Sequence, residues 1–193
     1  MKKILMLLAC LTFLFAGNIW AGGFIRFDAS EPDDITTYSV VAFDLPVAVL
    51  EGELLWKPNF KFVGVDLLYK FNGFQLGPKF YSNSVGDDRF GAKFGTSFPT
   101  PFKTKTVFTF SYLFSTDGGE NMTEGFLATN LFKIGKYDIS WQVYYHDDGV
   151  GNLQIRIPKI SRRFNKMGLF IMPNIHLKEN GDTAYIMMTG VSF

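Results

Sequence analysis

The sequence predicts an all-β chain closing into an antiparallel, up-and-down transmembrane barrel of twelve strands, with ten as the alternative count. Three observations carry that prediction. Stretches of about ten residues alternate between apolar and polar side chains, and a period of two belongs to strands. Aromatic residues make up 17% of the chain, with 22 Phe and only 8 Pro. An outer face that aromatic needs surroundings that tolerate exposed apolar groups, which lipid supplies. Finally, beyond residue 21 no stretch approaches the ~18 uninterrupted apolar residues of a spanning helix.

The first 21 residues read differently. Met1-Lys2-Lys3 is basic, Ile4 to Gly17 is apolar, and Ile19-Trp20-Ala21 precedes Gly22. This is the pattern of a secretory signal peptide cleaved after Ala21. The apolar run is shorter than the ~20 residues an anchor helix needs. The expected organisation is a leader over 1–21 and one barrel domain over 22–193. Cys10, the only cysteine, lies in the leader. Leu7-Leu8-Ala9-Cys10 is only a faint lipoprotein box, since the apolar run continues past it. Without Cys10 there is no disulfide and no cysteine-bound metal. Losing Lys2 and Lys3 leaves 17 of the 19 basic residues against 18 acidic ones, a net charge of −1. That gives no general attraction for nucleic acid.

In chain order, Gly23 to Ala29 is a short alternating piece, followed by the polar loop Ser30 to Asp34. Thr36 to Asp44 sets Val41, Phe43 and Leu45 on one side; Pro46 turns into Val47 to Trp56. Lys57-Pro58-Asn59 breaks that strand. Phe60 to Phe71 places Val63, Val65, Leu67, Tyr69 and Phe71 opposite Phe62, Gly64, Asp66 and Lys70. Asn72-Gly73 is the best hairpin signal, pointing to a type I′ turn with positive φ at both central residues. Phe74 to Asn83 has Phe74, Leu76 and Phe80 against Gln75, Gly77, Lys79 and Tyr81. After Gly86-Asp87-Asp88, Arg89 to Phe98 sets Phe90, Ala92, Phe94, Thr96 and Phe98 against Arg89, Lys93 and Ser97.

Pro99-Thr100-Pro101 turns into Phe102 to Ser115, with Phe108, Phe110, Tyr112 and Phe114 on one face and Lys103, Lys105, Thr109 and Ser111 on the other. Thr116 to Thr123 is a loop. Glu124 to Lys133 is a strand whose faces do not separate cleanly. Gly135 turns into Tyr137 to His146, with Ile139, Trp141, Val143 and Tyr145 opposite Asp138, Ser140, Gln142, Tyr144 and His146. Asn152 to Ile160 sets Leu153, Ile155 and Ile157 against Gln154 and Arg156; Arg162 to Asn165 turns. Met167 to Leu177 and Asp182 to Phe193 complete twelve. Pro78, Pro158 and Pro173 are awkward in a barrel without edges and are expected at bulges or strand ends. Short connections alternate with longer acidic ones, as loops on two sides of a membrane do.

The final stretch, D-T-A-Y-I-M-M-T-G-V-S-F, places Tyr185, Met187, Thr189, Val191 and Phe193 on one face and stops on the aromatic residue. It resembles the C-terminal signal of bacterial outer-membrane β-barrel proteins of porin-like type. The resemblance implies that Tyr185, Val191 and Phe193 form an assembly signal read by the barrel-assembly machinery. It also implies delivery by periplasmic chaperones and residence among outer-membrane lipid and lipopolysaccharide. Both termini then face the periplasm.

If the aromatic face meets lipid, the other face lines a lumen. Its basic candidates are Lys70, Lys79, Arg89, Lys93, Lys103, Lys105 and Arg156; its acidic ones are Glu51, Glu53, Asp66 and Asp138. That balance favours a narrow passive channel for small solutes with a mild anion preference. The competing reading is that these charges pair across a narrow interior and fill it, leaving a structural or surface-interaction barrel. The loop acids Glu31, Asp33, Asp34, Asp87, Asp88, Asp117, Glu120, Asp147, Asp148, Glu179 and Asp182 read as solvated rather than metal-binding, and no metal or other cofactor is expected.

A lipid-modifying enzyme would need a site around His146 or His176. Ser140 lies six strand residues from His146, about 20 Å, so they are not partners within one strand. No catalytic site is expected. Trp56, Tyr69, Tyr81, Tyr112, Trp141, Tyr145 and Tyr185 are candidates for interfacial belts. A soluble lipocalin-like barrel, aromatic faces inward, is the alternative fold.

Overall fold

The computed structural model describes residues 20–29, 35–57, 59–100, 104–147, 149, 151–165 and 167–193. Twelve strands follow one another: β1 (Trp20–Ala29), β2 (Ile35–Asp44), β3 (Ala48–Lys57), β4 (Phe60–Phe71), β5 (Phe74–Asn83), β6 (Asp88–Pro99), β7 (Lys105–Ser115), β8 (Met122–Ile134), β9 (Tyr137–Asp147), β10 (Asn152–Phe164), β11 (Met167–Lys178) and β12 (Thr183–Ser192). Each pairs antiparallel with the next, and β1 pairs antiparallel with β12, so the sheet closes. The count is twelve rather than ten because the region before Trp56 keeps three full strands. Closure removes the unpaired edges that an open sheet would expose. Residues 1–19 of the signal-peptide reading over 1–21, Cys10 among them, and the loop acids Glu31, Asp33, Asp34 and Asp148 lie outside the described residues; the reading's last two positions, Trp20 and Ala21, begin β1.

The closing seam runs from Phe24 opposite Ser192 to Ala29 opposite Met187. Beyond it, the amide of Gly23 donates to the carbonyl of Phe193 at 3.0 Å, and the amide of Phe193 returns the bond to Gly23 at 3.0 Å. The last residue is therefore paired into the wall. Both chain ends of the barrel lie at one mouth, here the terminal mouth.

Alternation sorts the side chains. On β6, Arg89 and Lys93 are buried while Phe90 and Phe98 are exposed. On β12, Met188 and Gly190 are buried while Met187 and Tyr185 are exposed, Tyr185 to 75%. Charged groups of these strands face the interior and the exposed aromatic ones the outside, the inverse of a soluble barrel. The lipocalin-like alternative, which needs the aromatic faces inward, does not hold.

Two irregularities redirect side chains. Between Arg156 and Ile160 the register of β10 slips against both neighbours. Pro158 lies in this bulge and Pro173 sits on β11 opposite it, so neither missing N–H breaks a ladder. The extra residue reverses the alternation: Arg156 faces inward opposite Gln142, and beyond the bulge Lys159 and Ser161 face inward opposite Ser140 and Asp138. Ile160 and Arg162 turn outward with Ile139 and Tyr137. The strand then runs on to Phe164. Arg162 and Arg163 are strand residues, not the turn expected; the turn is left to Asn165, whose φ of 53° an asparagine tolerates. A second slip, between Asn130 and Phe132, explains why the faces of β8 were hard to separate.

Pro78 departs from expectation. It lies inside β5 opposite Ala92, with the register on both sides unbroken. The ladder to β4 lapses between Lys79 and Leu76, so no donor is required of it. Next to it, a Cβ on Gly77 would stand 1.8 Å from the Leu67 carbonyl oxygen. The close approach of β4 and β5 therefore requires glycine. The Asn72-Gly73 hairpin forms, but not as type I′: Gly73 has φ 93° and Asn72 has none of the positive φ that type I′ demands. The hydroxyl of Thr96 donates to the Gly73 carbonyl at 2.9 Å, and the rings of Phe71 and Phe74 stack 5.4 Å apart across the turn.

Candidate functional site: a charged band across the lumen

Inward positions from β3, β4, β5, β6 and β8 converge at mid-height. Lys79 lies 3.3 Å from Glu53 Oε1 and 2.8 Å from Glu124 Oε2. Lys93 bonds Asp66 Oδ2 at 2.5 Å, bonds Glu51, and lies 3.7 Å from Glu53. Two ammonium groups thus hold four carboxylates. The carboxylate Oε2 of Glu124 also accepts from Ser111 at 2.6 Å, and Oε1 from Tyr144 at 3.0 Å. Glu53 accepts from Tyr38 at 3.0 Å. Asp66 is 0% and Lys79 3% exposed. Glu51, Glu53 and Asp66 bring carboxylate oxygens within 4.8 Å of one another, a spacing suited to a hard cation, but the ammonium of Lys93 already sits among them.

The opposite wall is different. Arg26 bonds Asp28 at 2.7 Å, and Arg156 bonds the Gln154 amide oxygen at 2.7 Å. Lys159, turned inward by the bulge, lies within electrostatic reach of both arginines. Among the described residues no carboxylate pairs with Arg156 or Lys159. The guanidinium of Arg26 stands 4.7 Å over the ring of Tyr38, and that of Arg156 5.3 Å over Tyr144. These contacts join the basic wall to the carboxylate cluster on both sides. The result is a band of charge that circles the lumen, with carboxylates in excess of ammonium groups on one wall and cations in excess on the other. Arg26 Nε, Asp28 Oδ1, Arg156 Nε and Asn174 Oδ1 are buried without a protein hydrogen bond. Buried polar atoms ordinarily find a partner, so each of these atoms carries a desolvation cost that no protein hydrogen bond offsets.

The sequence-derived candidates distribute as follows. Lys79, Lys93, Asp66 and Arg156 meet in the band. Arg89 is inward and buried near the mouth opposite the termini, bonded to Asp87 at 2.9 Å. Lys70 reaches Asp44 and, at 2.6 Å, the Leu45 carbonyl, and Asp138 pairs with exposed Lys133 at 3.1 Å; both pairs sit at the terminal mouth. Lys105 is exposed, and Lys103 lies outside the described residues. Arg26, Asp28, Glu124 and Lys159 were missed. The β1 pair was visible as an alternation too short to trust, Glu124 stood at the edge of a strand placed two residues late, and Lys159 needed the bulge. His146 lies 3.9 Å from Glu124 and 3.3 Å from the Tyr144 hydroxyl. His176 meets the Asn174 amide at 2.6 Å.

Of the belt candidates, Trp56, Tyr69, Tyr112, Tyr145 and Tyr185 are exposed, whereas Tyr81 is buried. Its place on the Lys79 face of β5 turns it inward, where it packs with Leu113 and Met122.

Comparison with solved structures identifies the architecture. The NanC porin superposes with a TM-score of 0.64, at 12% identity over 90% of this chain and 99% of that one. The fold is that of the outer-membrane porins. The KdgM porin matches with a TM-score of 0.63 at 13% identity, over 89% of this chain and 98% of its own. The COG4313 outer membrane channel from Pseudomonas putida F1 matches at 0.60 and 10% identity, over 89% and 94%. No protein-family model matches the chain, and no curated protein sequence matches it. The porin fold thus accounts for twelve strands, inward charge and outward rings together.

Proposed function

We propose that the protein is a narrow passive channel of the outer membrane, carrying small solutes with a preference for anions. The observation that carries this reading is the wall formed by Arg26, Arg156 and Lys159, where three cations face one bonded carboxylate, Asp28. Lys79 and Lys93 contribute little to selectivity, because four carboxylates neutralise them. Charge in excess on one wall of a low-dielectric lumen favours solutes of the opposite sign along that wall. A KdgM porin structure in complex with disordered oligogalacturonate supports an anionic solute for a lumen of this shape. In this reading the leader is cleaved after Ala21, the barrel-assembly machinery inserts the chain, and the terminal mouth faces the periplasm.

The test is the reversal potential of the refolded mature protein in a planar bilayer under a salt gradient. The expected result is discrete conductance steps favouring anions, with Arg156→Gln lowering the anion-to-cation permeability ratio. An unchanged ratio overturns the assignment. One observation favours a second reading: the Lys79–Glu124 bridge crosses the interior at mid-height. Insertion without any conductance would make this a filled, structural barrel.

A further inference from the structure

A file of aromatic rings climbs the inner wall. Phe170 lies 6.3 Å from Phe24, Phe24 5.7 Å from Tyr38, Tyr38 6.1 Å from Phe62, and Phe62 5.1 Å from Tyr81, centroid to centroid. They come from β11, β1, β2, β4 and β5. The pairing shows why they line up. One ladder runs Phe170–Gly190–Arg26–Tyr38–Leu55–Phe62–Asn83. It begins three residues from the terminal-mouth end of β11 and finishes on the last residue of β5 at the other mouth. Tilted strands make a ladder rise around the barrel, so the file runs along the pore.

Three cations stand over these rings. Lys159 lies 4.6 Å from the Phe170 centroid, Arg26 4.7 Å from Tyr38 and Arg89 6.0 Å from Tyr81. Phe24, Tyr38 and Phe62 keep part of their surface open, while Phe170 and Tyr81 are buried at the ends. The two ends are apolar: Met172 and Met188 share the inward face beside Phe170, and Leu113 and Met122 pack with Tyr81.

Each ring-to-ring step falls within the 4.5–7 Å at which aromatic groups attract. A flat apolar solute can pass across Phe24, Tyr38 and Phe62, the rings with open surface, without leaving aromatic contact. Its carboxylate passes Lys159 and then Arg26 and Arg89, each of the arginines already bonded to a neighbouring aspartate. Several shallow sites in series let a solute enter and still leave. A small aliphatic acid gains only the cations. A sugar acid must strip its hydroxyls against Phe and Met, which costs free energy without replacement hydrogen bonds.

We propose that this file is a translocation track for small carboxylates bearing a flat apolar ring. The proposal rests on the channel reading above. The experiment measures how benzoate, acetate and glucuronate each reduce the chloride current of the mature protein in a planar bilayer. Half-reduction is expected at a benzoate concentration about tenfold below that of either other acid. Phe62→Leu and Phe24→Leu should each raise the benzoate value about 2–10-fold, the equivalent of one aromatic contact. Phe62→Tyr, which keeps the ring, should restore it. Heat-modifiable gel migration checks insertion of every variant, and either leucine variant suffices. Equal values for the three acids, tighter block by glucuronate, or leucine variants that leave the benzoate value unchanged would overturn the track while the channel reading stands. Absence of chloride current overturns both.

Discussion

Lys79 and Glu124 meet at 2.8 Å, although β5 and β8 are three places apart in the barrel. Their bridge spans the interior rather than following the wall. Removing one partner of a buried pair leaves the other charge uncompensated, at a cost of about 3–5 kcal/mol. Lys79→Met is therefore expected to lose stability on that scale, since Glu124 loses its ammonium and Glu53 keeps only that of Lys93 at 3.7 Å. Urea unfolding in detergent, followed by tryptophan fluorescence, measures it. A loss under ~1 kcal/mol would show that water already screens the site.

Lys105 and Arg156 were equal candidates by residue type, and the structure separates them. Lys105 is exposed and Arg156 is buried without a carboxylate. Charge reversal at Lys105 should shift the reversal potential less than Arg156→Gln does, because bulk water and salt screen a charge at the mouth. Equal shifts would move the constriction to the terminal mouth.

The β10 bulge makes a prediction about labelling. Residues 22–193 contain no cysteine, so single-cysteine variants report one position each. Ser161→Cys should react with a water-soluble maleimide and Ile160→Cys should not. Deleting Pro158 should exchange the two, because one residue reverses a strand's faces. It would also turn Lys159 toward lipid, which costs ~2–4 kcal/mol for a Lys near the bilayer midplane.

On the outer surface, the hydroxyls of Thr106 and Thr129 bond each other at 2.7 Å and are buried between neighbours. Thr106→Val leaves Thr129 without its partner. A loss of about 0.6–1.7 kcal/mol is expected, while the double valine variant should recover most of it. Unfolding midpoints of the three variants decide the matter.

Removing Phe193 takes away both backbone bonds to Gly23 and the last outward aromatic residue. The fraction of folded, heat-modifiable barrel should fall. Replacement by Tyr, which keeps the strand and the ring, should restore it.

The alternation in Arg89–Phe98 and Asp182–Phe193 was enough to orient those strands, because a membrane barrel demands opposite chemistry on its two faces and each residue can face only one way. Strand number, outward rings and inward Lys79, Lys93 and Asp66 were legible for the same reason. Partners were not. Whether Lys79 faces open water or Glu124 depends on which strands lie opposite once the sheet has closed, and period-two patterns carry no information about that. Tyr81 looked like a belt residue until its place between Leu113 and Met122 was seen. Lys159 reads as lipid-facing by simple alternation and becomes a lumen cation only through the slip at Pro158. The local pattern determined which way most residues point, because backbone geometry is local. The register and closure of the barrel decided what they meet, because those contacts join residues far apart in the chain.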